Sequence, residues 1–279
     1  MLRRGDKGAE VKKLQETLLR INPSCLPRYG ADSDLGDETL RAIGAVLGTQ
    51  ADAEPDDVSD AEIALLASRL GALSQAPLRP AQYIDCRGIA DEGEVHGRRQ
   101  WSQIDSVVLH QTACVLGGEP RRWRSVPIHY GITREGVILQ LHDDESLLWH
   151  AHALNRFSVG VEIDGYFEGI QGQRKTCWVP PDNAPERQPL RPSIAQIESA
   201  KQLIRYLGGL FAARGGRLTK ILAHRQGTNT RRPDPGSEIW QTIALPMQRE
   251  LALKPSHDLV WGKGQPIPRE WDPISEAEY

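Results

Sequence analysis

Residues 106–110 read "SVVLH": four residues that suit a buried strand, closed by a histidine. Residues 220–224, "KILAH", repeat the design. β-Branched and apolar runs of this length, bounded by turn residues, predict strands buried on both faces. A side chain at the end of such a strand is presented to a cleft. Two further stretches extend the pattern. "SVGVEIDG" at 158–165 predicts a third strand, and "IHYGITREGVILQL" at 128–141 predicts two strands around a turn at Arg134–Gly136. Residues 193–214 predict a long helix, with Ser193 as N-cap and Gln196 as its capping-box partner. Ile197, Leu203, Ile204, Leu207, Leu210 and Phe211 supply its apolar stripe, and Gly215–Gly216 stop it. Strands alternating with helical segments predict an α/β domain, a mixed central sheet flanked by helices.

The 279 residues suffice for two domains, and 25% charged residues with 39% hydrophobic ones fit a globular chain. A net charge of −3 gives no broad attraction to nucleic acid or to an anionic membrane, so neither is an expected partner. The cysteines, Cys25, Cys86, Cys114 and Cys177, are far apart and form no CxxC pair. They are expected to be free thiols, as in a reducing compartment. No stretch approaches the roughly 18 apolar residues of a membrane span, and "MLRRGDKGAEVKKLQ" has no apolar core of a secretory signal. Synthesis in the cytoplasm without a signal peptide is therefore expected.

Outside the sheet region, residues 1–73 predict a small helical unit. Val11, Leu14, Leu18 and Ile21 recur at helical spacing, as do Leu40, Ile43, Val46 and Leu47. A third helix begins after Ser59, boxed by Glu62, and carries Ile63, Leu66 and Leu70. Residues 74–100 mix Pro, Gly, Arg and Asp and read as a linker to the second domain, 101–255. Within that domain, 168–192 is a long polar, proline-rich insert of the kind that is uncommon unless functional. The tail 256–279 holds Trp261 and Trp271, which are expected to dock back onto the domain.

His110 and His224 end two apolar strands, and Asp234 follows His224 on the stiff loop "RRPDPG" (231–236). Two imidazoles and a carboxylate can hold zinc with a fourth position open. Spacing alone leaves rivals. Cys114 and the cluster His129, His142, His150 and His152 could supply ligands, and a strand-end histidine is often only packed.

Six blocks in order, "VVLHQTA", "PIHYGITREGVILQL", "LLWHAHALN", "SVGVEIDG", "ILAHRQ" and "RRPDPG", resemble the zinc-dependent N-acetylmuramoyl-L-alanine amidases of the type 2 class. That class shares its fold with peptidoglycan recognition proteins. The resemblance implies Zn2+ held by His110, His224 and Asp234, with Glu162 as catalytic carboxylate. It implies a substrate-lining role for Tyr130, Trp149, His150 and Asn155. Many members carry a lysine two residues before the third ligand. Here that position is Arg232, which cannot shuttle a proton but can stabilise an oxyanion as a fixed charge.

The N-terminal stretches "LRRGDKGAEVKKLQETL" and "GADSDLGDETLRAI" resemble the peptidoglycan-binding type 1 domain, with Ala31 where a glycine is usual. Together the resemblances imply a monomeric two-domain peptidoglycan hydrolase. It would cut the amide between N-acetylmuramic acid and L-alanine, as a phage-type lysin or an antibacterial effector at the cell wall. The alternative is a non-catalytic peptidoglycan receptor on the same fold.

Overall fold

The computed structural model describes residues 1–21, 25–47, 57–66, 80–178 and 189–279. Leu70 and residues 179–188 of the insert lie outside them, as does the side chain of Ile21. The chain divides into two compact units, Met1–Ala76 and Pro77–Tyr279.

In the first unit, α1 (Ala9–Ile21) and α2 (Asp37–Leu47) pack Val11, Leu14 and Leu18 against Leu40, Ile43 and Val46. A third helix, α3, covers residues 60–66 of those described. Its start is the expected capping box: Glu62 N–H donates to Ser59 Oγ, and Ser59 N–H donates back to the Glu62 carboxylate. Strands β1 (Leu2–Arg3) and β2 (Asp57–Val58) pair antiparallel. Gln15 is buried in α1 and organises the acidic loop. Its Nε2 donates to Asp32 Oδ1, Asp34 O and Thr39 Oγ1, and its Oε1 accepts from Ser33 N–H.

The second unit is built on a mixed sheet. Its strands are β3 (Tyr83–Asp85), β5 (Ser106–Gln111), β6 (Tyr130–Ile132), β7 (Ile138–Gln140), β9 (Ser158–Ile163) and β10 (Lys220–Ala223). Their spatial order is β10-β5-β9-β6-β7-β3, with only β6–β7 antiparallel. A separate pair joins β4 (Val95–Arg98) to β8 (Ser146–Leu148). The stretch read as a linker, 74–100, thus contributes two strands. Both are short and half-exposed, so their composition is polar and no apolar run betrays them.

Period-two alternation sorts the strand residues onto two faces. Val107 and Leu109, Val159, Val161 and Ile163, Tyr130 and Ile132, and Ile221 and Ala223 face one core. The long helix α4 (Ile194–Ala213) covers it with Ala200, Leu203, Ile204, Leu207 and Phe211. Its Ser193–Gln196 capping box is present as expected. A last helical stretch, α5, spans 237–250 and includes a π turn at Trp240–Ala244. Val108 and Leu222 face the opposite side, where they pack with Ala151 and Leu154. By the same alternation His110 and Glu162 belong to this second face, away from α4.

The tail crosses the unit as an irregular strap. Trp271 and Ile267 join the α4 core, and Trp261 packs on the second face near Phe157. The docking expected of the tryptophans is observed.

Candidate functional site

The parallel pairing of β5 with β9 sets His110 directly opposite Glu162. Parallel pairing of β5 with β10 brings the chain leaving Ala223 alongside, so that His224 arrives next to His110. The two Nδ1 atoms are 2.9 Å apart, and His224 Nδ1 is 2.9 Å from Asp234 Oδ2. All three residues are buried, and their ligand-type atoms lie within 4.8 Å of one another. Glu162 Oε2 stands 3.8 Å from His110 Nδ1. These residues line a cavity of about 390 Å³, together with Trp149, His150, His152, Trp178 and Arg231.

Gln111 holds Asp234 in place. Its backbone N–H donates to Asp234 Oδ1 at 3.0 Å, which leaves Oδ2 for His224. Its side-chain amide donates to Pro233 O and Pro235 O and accepts from Phe167 N–H. One glutamine therefore brackets the Pro-Asp-Pro loop on both sides of the carboxylate. Removing such an outer partner typically costs 10–100-fold in metal affinity. Gln111→Ala keeps the backbone N–H to Asp234 and deletes the side-chain bracket, and it is expected to weaken binding of added zinc by up to roughly that factor, measured by competition with a chromogenic chelator. Wild-type affinity would remove the Gln111 side chain from this role.

The hydrogen-bond network also assigns the imidazole tautomers. Ser158 Oγ–H donates to Leu154 O at 2.7 Å, so its oxygen is left to accept from His150 Nε2 at 3.3 Å. His150 then has a bare Nδ1, which accepts from His110 Nε2–H at 3.0 Å. His110 Nδ1 is consequently a free electron pair facing His224. Both rings are neutral at physiological pH. Burial first, then the neighbouring histidines, push His110 well below its usual range. Burial and the Arg99 charge bring His150 down to about 3.

With no cation present, one proton on His224 Nδ1 must serve both His110 Nδ1 and Asp234 Oδ2. His224 Nε2 is then a buried nitrogen without a partner among the described residues. A cation shared by His110 Nδ1, His224 Nδ1 and Asp234 Oδ2 would remove that competition for one proton, and two imidazoles with one carboxylate suit zinc. Burial, and next the Asp234 charge, raise the Glu162 carboxyl well above its ordinary range, while Arg231 opposes the shift.

The remaining residues expected at the site are dispersed. Trp149 is on the cleft rim, 66% exposed, with His96 stacked on it at 3.7 Å. His150 lines the cleft but spends its nitrogens on His110 and Ser158. Tyr130 is fully buried on the α4 side, donating to Asp144 Oδ1 at 2.8 Å. Strand alternation gives the opposite face to its neighbour His129, which packs against His150. Asn155 accepts from Ala151 N–H and shapes the 3-10 turn His152–Phe157 instead of lining the cleft. Arg232 is exposed and lies 5.4 Å from the Tyr279 ring, outside the cleft lining. The preceding residue, Arg231, is the arginine that lines it.

Sequence reasoning missed Gln111, Ser158, Arg99 and Arg231. Arg99 is a buried guanidinium that donates to the carbonyls of Asp144, Ser146, Asn155 and Ser158, tying β8 to the start of β9 behind the histidines. A buried cation bonded to carbonyls leaves no charge pattern to read. Gly160 offers the one local signal, a glycine inside a strand. A methyl there would meet the Ile128 side chain and the His150 ring. Gly160→Ala should cost about 1–3 kcal/mol and disturb His150, lowering the thermal midpoint and the zinc affinity together. A variant that melts like wild type and binds zinc equally would show that this packing is slack.

Residues 100–237 match the family model described as N-acetylmuramoyl-L-alanine amidase. The matched stretch lies within the second unit. The match includes His110, Glu162, His224 and Asp234. Among solved structures, this chain is similar to the endolysin N-acetylmuramoyl-L-alanine amidase LysCS from Clostridium intestinale URNW. The identity is 16% and the TM-score 0.41, covering 62% of this chain and 97% of that one. It is also similar to Drosophila peptidoglycan recognition protein SD, at 18% identity and TM-score 0.42, covering 67% and 99%. A third is the ectodomain complex of peptidoglycan recognition proteins LCa and LCx bound to tracheal cytotoxin, at 16% identity and TM-score 0.39, covering 60% and 95%. No curated protein matches the chain.

Proposed function

We propose that the second unit is a zinc-dependent amidase. It hydrolyses the bond between N-acetylmuramic acid and the L-alanine of the peptidoglycan stem, and the first unit holds the enzyme to the wall. The observation that carries this reading is the placement of Glu162 beside a buried His110–His224–Asp234 donor set, all inside the amidase-family stretch. His110 Nδ1, His224 Nδ1 and Asp234 Oδ2 would hold the ion. When bound, zinc supplies Lewis acidity, which polarises a carbonyl and makes water a nucleophile at neutral pH.

The protein's own groups do the rest. Glu162 accepts a proton from the attacking water on a carboxylate oxygen and returns it to the leaving amine. His150 and Ser158 keep His110 in the tautomer that leaves Nδ1 bare. Gln111 fixes which oxygen of Asp234 faces inward. Trp149 offers an exposed ring face at the rim for a sugar or peptide. Among the described residues no helix is long and apolar enough to cross a membrane.

Purified sacculi digested with and without a chelator test this directly, with soluble products read by mass spectrometry. Free stem peptides with an N-terminal alanine, made only when metal is present, are expected. Binding to sacculi with no stem release at any metal level would make the chain a receptor instead.

A further inference from the structure

Arg231 combines four features that no role described so far uses. It lines the cavity that holds the donor set. Its Cζ sits 4.1 Å from the centroid of the Trp178 ring. Its carbonyl accepts from Asp234 N–H at 3.1 Å, so its backbone is fixed to the ligand loop. Among the described residues, no carboxylate lies within ion-pair distance of its guanidinium. Its charge nevertheless acts on Glu162 and His110.

We propose that Arg231, clamped by Trp178, is the anion-binding residue of this cleft, and that it takes an anionic oxygen of the substrate. Guanidinium is planar and permanently charged, with its donors along its edge. Covering one face with an aromatic ring stabilises the cation and fixes its plane, while the donor edge stays free for a carboxylate-type oxygen pair. The carboxylates of the cleft lining, Glu162 and Asp234, would repel that oxygen, and Arg231 supplies the guanidinium of the lining that attracts it. Trp178 gives the insert 168–192 a function, since among the described residues it is the one that this polar segment contributes to the cavity wall.

The substrate class rests on the amidase reading above. Within it the anionic oxygen has two sources: a carboxylate of the stem peptide, present before reaction, and the amide oxygen that becomes negative as water attacks. The chemistry of recognition is the same, and kinetics separate the two.

The experiment uses the full chain loaded with zinc and two soluble muropeptides, one with free stem carboxylates and one with those carboxylates amidated. R231A, R231K, W178A, W178F and R232A are compared with wild type for kcat, KM and zinc per chain. R231A is expected to lose about 10²-fold in kcat/KM, with R231K recovering part of the loss and zinc content unchanged. W178A should lose roughly 10-fold and W178F much less, because a ring still covers the guanidinium. A kcat loss on both substrates assigns the oxygen of the attacked amide. A KM loss confined to the free-carboxylate substrate assigns the stem carboxylate.

An R231A enzyme within about threefold of wild type in both constants, or a loss in R232A instead, overturns the proposal. If the wild type releases no stem peptide, the amidase reading fails by itself. Calorimetric binding of the two muropeptides then decides Arg231. Equal affinity of wild type and R231A for the free-carboxylate form overturns it, and weaker binding by R231A supports it.

Discussion

His224→Ala should abolish both the metal site and stem-peptide release, the latter by at least ~10³-fold, or about 4 kcal/mol of barrier. The geometry explains why this histidine is the most exposed to loss. Its Nδ1 is the middle atom of the set, 2.9 Å from the donor atoms of both His110 and Asp234. Deleting it leaves two buried donors that no longer share a neighbour. A second readout is independent of turnover. Zinc at 100 times its dissociation constant adds about 2.7 kcal/mol to the folded state, so the wild-type midpoint rises with zinc while that of the variant stays flat. Elemental analysis should give one zinc per wild-type chain and none in His224→Ala. A variant that retains zinc and the melting shift would place the metal elsewhere.

How much of this was legible in the sequence follows from residue chemistry. The strands around His110, Glu162 and His224 announce themselves, because buried parallel strands are continuous apolar runs and a histidine or glutamate at their ends stands out. Helix α4 is equally plain from its apolar stripe and capping box. Strands β3 and β4 escaped because edge positions demand no apolar pattern.

Faces were harder than elements. Tyr130 and His129 differ by one position, and only the pairing of β6 with β9 shows that His129, not Tyr130, backs the histidine layer. Arg231 and Arg232 pose the same problem on a loop. Two adjacent arginines point apart, one toward Trp178 and one toward Tyr279, and that choice depends on a tail far away in sequence. Gln111 was hidden because a glutamine that brackets a backbone loop has no spacing rule.

The tail makes a second large effect predictable. Trp271→Ala should destabilise the second unit by about 3–5 kcal/mol, which for a unit of this size lowers the midpoint by roughly 10 °C. Trp271 is fully buried beside Trp240, and its indole N–H donates to the Gly169 carbonyl. Truncation therefore leaves a cavity and an unpaired carbonyl in the same place. The consequence should reach the metal. The Arg225 guanidinium lies 5.0 Å from the Trp271 ring centroid and donates to Arg232 O, while Arg225 N–H donates to Asp234 O. The tryptophan thus supports the arginine that supports the loop of the third ligand. Zinc affinity should fall together with stability in Trp271→Ala. Trp271→Phe, which keeps one buried ring but loses the N–H and part of the indole volume, should cost less, about 1–3 kcal/mol. Ile274 on the same strap is 68% exposed, so Ile274→Ala should stay within about 0.5 kcal/mol of wild type. Scanning fluorimetry with and without zinc separates the variants. If Trp271→Ala melted with the wild type, the strap would be an appendage, and the Asp234 loop would owe its position to Gln111 and to Arg225 without help from Trp271.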